Sequence, residues 1–171
     1  VIVTVRNRVR SKNMNMKRLA ITAVFVICAW TAGSAAAAGE PLDQDQVDPG
    51  ITSGKARREF MEARQLWIAQ GIDDYRIKVY RGCYCAGPFN STMTVRNRKV
   101  VKVSDKPWYG PRTVPGMFRI IGQAIKNKVA VLDVKYSKSL GYPVSTSIDY
   151  IAMAVDDEIG YRISNFKPLR P

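Results

Sequence analysis

Cys83 and Cys85, one residue apart, are the most pointed chemical feature of this sequence. Thiols at positions i and i+2 of an extended strand face the same side, with Cα atoms about 6.5 Å apart. That is near the upper end of the disulfide range, so a small kink, which Gly82 or Gly87 could supply, would let them bond. A ring this tight is readily reduced, which sets a redox role beside a structural disulfide and beside free or metal-contacting thiols. The chain contains no His. That removes Ser-His-Asp and Cys-His nucleophilic sites and His-based zinc sites, and two thiolates alone do not complete a zinc shell. Arg81 is the nearest cation that could favour a thiolate. Asp156-Asp157-Glu158, with Asp149, offers oxygen ligands for Ca²⁺ or a carboxylate pair for glycoside hydrolysis. The Asp-x-Asp-x-Asp-Gly spacing of a calcium loop is missing, and an acidic turn capping the last hairpin accounts for the same residues. The sequence therefore assigns no catalytic residue, no metal ligand set and no cofactor.

Charge and aromatic residues point to binding instead. Between Arg96 and Arg119 stand seven basic residues and one acid, Asp105. Of these, Arg96, Arg98, Lys99, Lys102, Lys106 and Arg112 form the candidate contact for an anionic partner. A solvated surface that keeps the protein soluble would look the same. Trp108, Tyr109 and Tyr142 lie in or beside loops near these cations. Aromatics interleaved with basic residues can stack on single-stranded nucleic acid or on glycans, or they can seal the end of a small core.

The elements that must position these groups begin after a leader. Met16-Lys17-Arg18 opens a basic region, Leu19 to Trp30 is apolar apart from Thr22, and small residues run from Thr31 to Ala38. This is the pattern of a cleaved secretory signal, with cleavage expected near Ala38, and the apolar run falls short of the ~20 residues of a membrane span. Residues 1–38 are thus expected to be upstream read-through plus signal, and Cys28 to leave with them. No membrane span is expected in the mature chain, which is secreted or periplasmic. Export argues against nucleic acid as the partner. The leader holds six of the 27 basic residues and none of the 14 acids, leaving 21 against 14 and a net charge of +7.

Residues 39–54 are polar, carry Pro41 and Pro49, and read as a flexible linker. Ser53 is expected to cap a helix from Lys55 to Gln70 that Gly71 closes in the left-handed region. Ala56, Phe60, Ala63 and Trp67 give it one apolar face, widened by Leu66 and Ile68. Tyr75, Ile77 and Val79 alternate with polar residues as in a half-buried strand, and so do Met93 and Val95. Asn97-Arg98 turns that strand back into Val101-Lys102-Val103. Thr113 caps a second helix with Pro115 in its first turn, its buried stripe being Val114, Met117, Phe118, Ile121 and Ile125. Three further alternations follow, around Val134, Thr146 and Tyr161. The expected fold for residues 55–171 is a single α+β domain in the order helix, three strands, helix, three strands. Its sheet is mainly antiparallel, with the two helices packed on one face.

Trp67…Gly71-Ile72-Asp73-Asp74-Tyr75, Cys83-Tyr84-Cys85, Thr113-Val114…Met117-Phe118, Gly141-Tyr142-Pro143 and Tyr161-Arg162-Ile163, in this order and spacing, resemble the bacterial exported-protein family catalogued as domain of unknown function 6174. The resemblance covers about Glu59 to Leu169. It implies an exported α+β domain and no established activity. The chain departs from that pattern in lacking the lipidated cysteine of many relatives and in having Asn97-Arg98 where an Asn/Asp-Gly turn is usual. The function expected from sequence is non-enzymatic binding of an envelope protein or an anionic envelope polymer. A redox or enzyme-like role at the Cys-x-Cys pair, or a protein-inhibitor module, is the alternative.

Overall fold

The computed structural model describes residues 46–170. The leader, Cys28, the cleavage position and residues 39–45 lie outside the described residues. Three helices and six strands follow one another: α1 (Pro49–Thr52), α2 (Lys55–Ala69), β1 (Tyr75–Gly82), β2 (Asn90–Arg96), β3 (Lys99–Val103), α3 (Val114–Lys126), β4 (Val131–Tyr136), β5 (Pro143–Asp149) and β6 (Ile159–Pro168). All six strands form one open antiparallel sheet in the order β3-β2-β1-β6-β5-β4. The architecture is α+β.

The structure amends the expected order at its start. Residues 46–54 are not a free linker, because Asp48 accepts from the amides of Gly50 and Ile51 at 2.7 and 3.2 Å and so caps α1. Its other oxygen accepts from Leu132 N–H at 2.9 Å, and its own N–H donates to Val129 O at 3.0 Å, tying the segment to β4. An Asp-Pro pair starting a helical turn is ordinary capping chemistry, hidden here by the polar composition around it. Ser53 ends α1 rather than capping α2, whose N-cap is Gly54 at φ 73°.

Alternation along the strands decides the core. Tyr75, Ile77 and Val79 of β1 and Met93 and Val95 of β2 are buried, and so are Ile163 of β6 and Ile148 of β5. Trp67 of α2 meets Tyr75 and Phe166 edge-on at 5.7 Å each. Val114 N–H of α3 donates to the Tyr75 hydroxyl at 3.1 Å. Both long helices thus meet the ring of Tyr75. Ile68, expected on the buried face of α2, is 58% exposed. Thr113 caps α3 as expected, its hydroxyl accepting from Gly116 N–H at 3.0 Å. β6 runs past Ile163 because a bulge at Asn165, φ 51°, returns Phe166 to the core. Gly141, at φ 79°, lies so close to α2 that a Cβ there would strike the backbone of Ala63 and Trp67.

Candidate functional site

A concavity of about 660 Å³ opens between α2, α3 and the turn before β1. That volume is of the size that holds small ligands or a short segment of chain. Phe60, Trp67 and Phe118 supply aromatic lining, and Arg64, Arg98 and Arg119 line it as well. Phe60 and Phe118 pack edge to face at 5.8 Å. Gly122 lies beneath this pair, where a Cβ would stand 3.4 Å from the Phe60 ring, at close van der Waals contact. Each arginine comes from a different element: Arg64 from α2, Arg98 from the β2–β3 turn and Arg119 from α3.

The electrostatics are one-sided. Asp73 is the single carboxylate lining the groove, and it already accepts from Arg98 Nε at 2.7 Å. Arg64 and Arg119 are exposed and have no ion-pair partner among the described residues. The one phenol in the lining, Tyr75, is raised to about 12 by burial, against the opposing pull of the Val114 N–H bond. Tyr75 is therefore not set to move a proton near neutral pH. An apolar floor beneath guanidinium groups can take a ring or aliphatic body that carries an anionic group.

The six cations expected to form one contact are divided among tasks. Arg96 donates to Asp74 Oδ2 and to Arg170 O, both at 2.8 Å, and Arg98 is held by Asp73. These two pairs clamp the β2–β3 turn onto the entry to β1, so Arg96 in particular is committed to structure. Lys99 and Lys102 are exposed on the edge strand β3, Lys106 is exposed beyond it, and Arg112 donates to Trp108 O at 3.3 Å. Sequence reading missed Arg64 as a site residue. The available signal was its position one helical turn before Trp67, the spacing at which two side chains share a helix face.

Of the two readings of the aromatic group, the sealing of the core describes most of it. Trp108 is only 3% exposed, and its indole N–H donates to Pro111 O at 3.1 Å. Tyr142 stacks on Phe166 at 4.7 Å and meets Trp67 at 6.4 Å inside the core. Trp108 is a core residue and Tyr142 a half-buried ring packed against the core, because so much apolar area gains more from burial than from loop exposure. Tyr109 alone of the three is open, at 67%.

β1 ends at Gly82, so Cys83 and Cys85 sit in the bend that follows it and not on the strand itself. Their Cα atoms are 5.3 Å apart and their sulfurs are in contact. Asp149 and Asp157 both accept from Ile151 N–H, at 3.2 and 2.9 Å, and so close the β5–β6 loop. Among the described residues no group of three or more His, Cys, Asp or Glu is placed to hold a metal ion.

Comparison with known proteins adds one finding. The pattern of the Family of unknown function (DUF6174) matches residues 59–168, well over half of the chain. No curated protein and no solved structure matches.

Proposed function

We propose that this chain, which belongs to the Family of unknown function (DUF6174), is an exported binding domain whose α2–α3 groove holds an acidic segment of another exported protein. The observation that carries the reading is the set of three guanidinium groups around an aromatic-lined groove. A phenyl or aliphatic side chain fits the floor, and neighbouring Asp or Glu carboxylates meet Arg64 and Arg119, which have no ion-pair partner among the described residues. Export rests on the basic, apolar and small-residue succession from Met16 to Ala38.

A defined probe tests the groove: a peptide alternating Glu and Phe, against its Gln–Phe counterpart. Trp67 lies in the lining, so its emission should change with the acidic peptide. Replacing Arg64 and Arg119 together by Gln should weaken binding by about tenfold or more, as expected for charge-assisted hydrogen bonds of about 1.5–3 kcal/mol. Equal binding of the two peptides, or an unchanged affinity in the double variant, refutes the reading.

The contact between Cys83 and Cys85 favours a second, narrower reading. In it the two sulfurs are bonded and close the bend after β1. Intact-mass measurement before and after reductant should then show the gain of two hydrogens, and a reduction potential below about −300 mV would mark the bond as structural and not redox-active.

A further inference from the structure

The sheet has a second surface that the groove does not use. Strand alternation places Arg76, Lys78 and Tyr80 on the face opposite the buried Tyr75, Ile77 and Val79. The pairing register extends that face into rows across the strands. One runs Lys102, Thr94, Arg76, Lys167 from β3 through β2 and β1 to β6. The next is Thr92, Lys78, Ser164. A third is Tyr80, Arg162, Ser145, Lys135, reaching β4. Of the six cations five are exposed and Lys78 is half-buried. None is in an ion pair among the described residues.

This arrangement works against the fold's own stability. Arg76 stands directly opposite Lys167, and like charges on facing strand positions repel. The acids of this face, Asp133 and Asp149, sit on β4 and β5, away from the β2-β1-β6 centre. Among the described residues no counter-charge faces this centre, which leaves it complementary to an anionic partner. Two details identify its chemistry. Each row sets hydroxyls beside cations, which suits a partner that offers both anionic groups and hydroxyls. The ring of Tyr80 is 41% exposed with the Lys78 ammonium 5.0 Å from its centroid, so aromatic surface stands beside the cations for a sugar to contact. The bulge in β6 also leaves a depression of about 540 Å³ lined by Arg76, Lys78, Thr92 and Lys167 among others. Insertion into a bilayer asks for apolar side chains among the cations. Here the exposed Val101 and Val131 belong to the edge strands β3 and β4, and the centre carries Thr and Ser.

We propose that this open sheet face docks an acidic polysaccharide, its carboxylates on Arg76, Lys78 and Arg162 and its hydroxyls on Thr92, Thr94 and Ser164. The site is separate from the groove, so the two readings fail independently.

The test uses the full chain and labelled polygalacturonate, with its methyl-esterified form and phosphatidylglycerol vesicles as the other arms. The acidic polymer should bind with an affinity that falls steeply as salt rises, because bound cations displace counterions. Replacing Arg76, Lys78 and Arg162 together by Gln should weaken it at least tenfold and flatten the salt dependence. The Lys102→Gln and Lys135→Gln pair, at the two ends of the rows, should give a smaller loss in the same direction. Arg64→Gln with Arg119→Gln should bind the polymer like the parent protein. An unchanged affinity and salt slope in the triple variant overturns the proposal. So does equal binding of the esterified polymer, or binding of vesicles without binding of the soluble polymer.

Discussion

Arg81 continues the inward alternation of Tyr75, Ile77 and Val79, and it is a charge in a place built for apolar side chains. It is 7% exposed, with Nη2 donating to Ala86 O at 2.8 Å and, among the described residues, no partner for Nε and no carboxylate paired with it. The rings of Trp108 and Tyr109 lie 6.0 and 5.7 Å from its guanidinium carbon and recover part of the desolvation cost through their π faces. A buried ion without a counter-charge is often improved on by an apolar residue of similar length. Arg81→Met should therefore raise the urea midpoint, by on the order of 1 kcal/mol, whereas Arg81→Ala, which leaves a void, should lower it. If Met lowers the midpoint as much as Ala, the charge itself is stabilising. Counting by two from Tyr75 reaches Arg81, so its burial was legible in principle. Its type argued for solvent, and only the loops carrying Ala86 and Trp108 show why it is inside.

Among the elements, the β2–β3 turn depends on residues far from it in sequence. Asn97 and Arg98 both have positive φ, 48° and 64°, where Arg is a poor choice. Asp74 accepts from Asn97 N–H at 2.7 Å and from Arg96, while Asp73 O accepts from Arg98 N–H at 3.1 Å. The hydrogen bond from Arg96, then that from Asn97 N–H, holds the Asp74 carboxyl below its usual 3.8. A lowered folded value means the contribution is complete above that pH and is lost as pH falls through the folded value. Asp74→Asn should lower the urea midpoint at neutral pH and should remove part of the parent protein's decline below about pH 4. Parallel curves for the two proteins would show that the clamp does not matter. At the other end, Asp48→Ala should cost about 0.5–2 kcal/mol and speed amide exchange at Leu132, since one carboxylate caps α1 and holds β4. Sequence periodicity located both long helices, and cap chemistry located the start of α3. The role of Asp48 was not legible, because its second partner lies 84 residues away.

For the molecule as a whole, the buried phenols set an upper limit in pH. Tyr75, Tyr136 and Tyr161 are all raised by burial, Tyr75 to about 12. A raised folded value gives stability that is complete below the ordinary phenol value and lost as pH climbs through the folded one. Unfolding should therefore set in above about pH 10, visible as tyrosinate absorbance rising together with loss of the far-ultraviolet signal. Ionisation without unfolding would contradict the packing around these rings. The α+β class and the presence of each strand were readable from sequence, but not the faces of β3, where a register shift leaves Val101 59% exposed, nor the length of β6 beyond Ile163. The continuity of the sheet was not, because it depends on β1 meeting β6, a pairing that local patterns do not encode.

That central pairing has a consequence in time. Tyr75 lies opposite Pro168, and the β1–β6 seam joins two three-stranded meanders that share one core. Until residues 159–168 arrive, half of the β1 backbone has no neighbour and the rings of Trp67 and Tyr75 lack Phe166. A polypeptide wired this way completes its core only when β6 closes against β1, a late, long-range step. Were the chain exported as proposed, it would meet a translocation pore before that seam had closed.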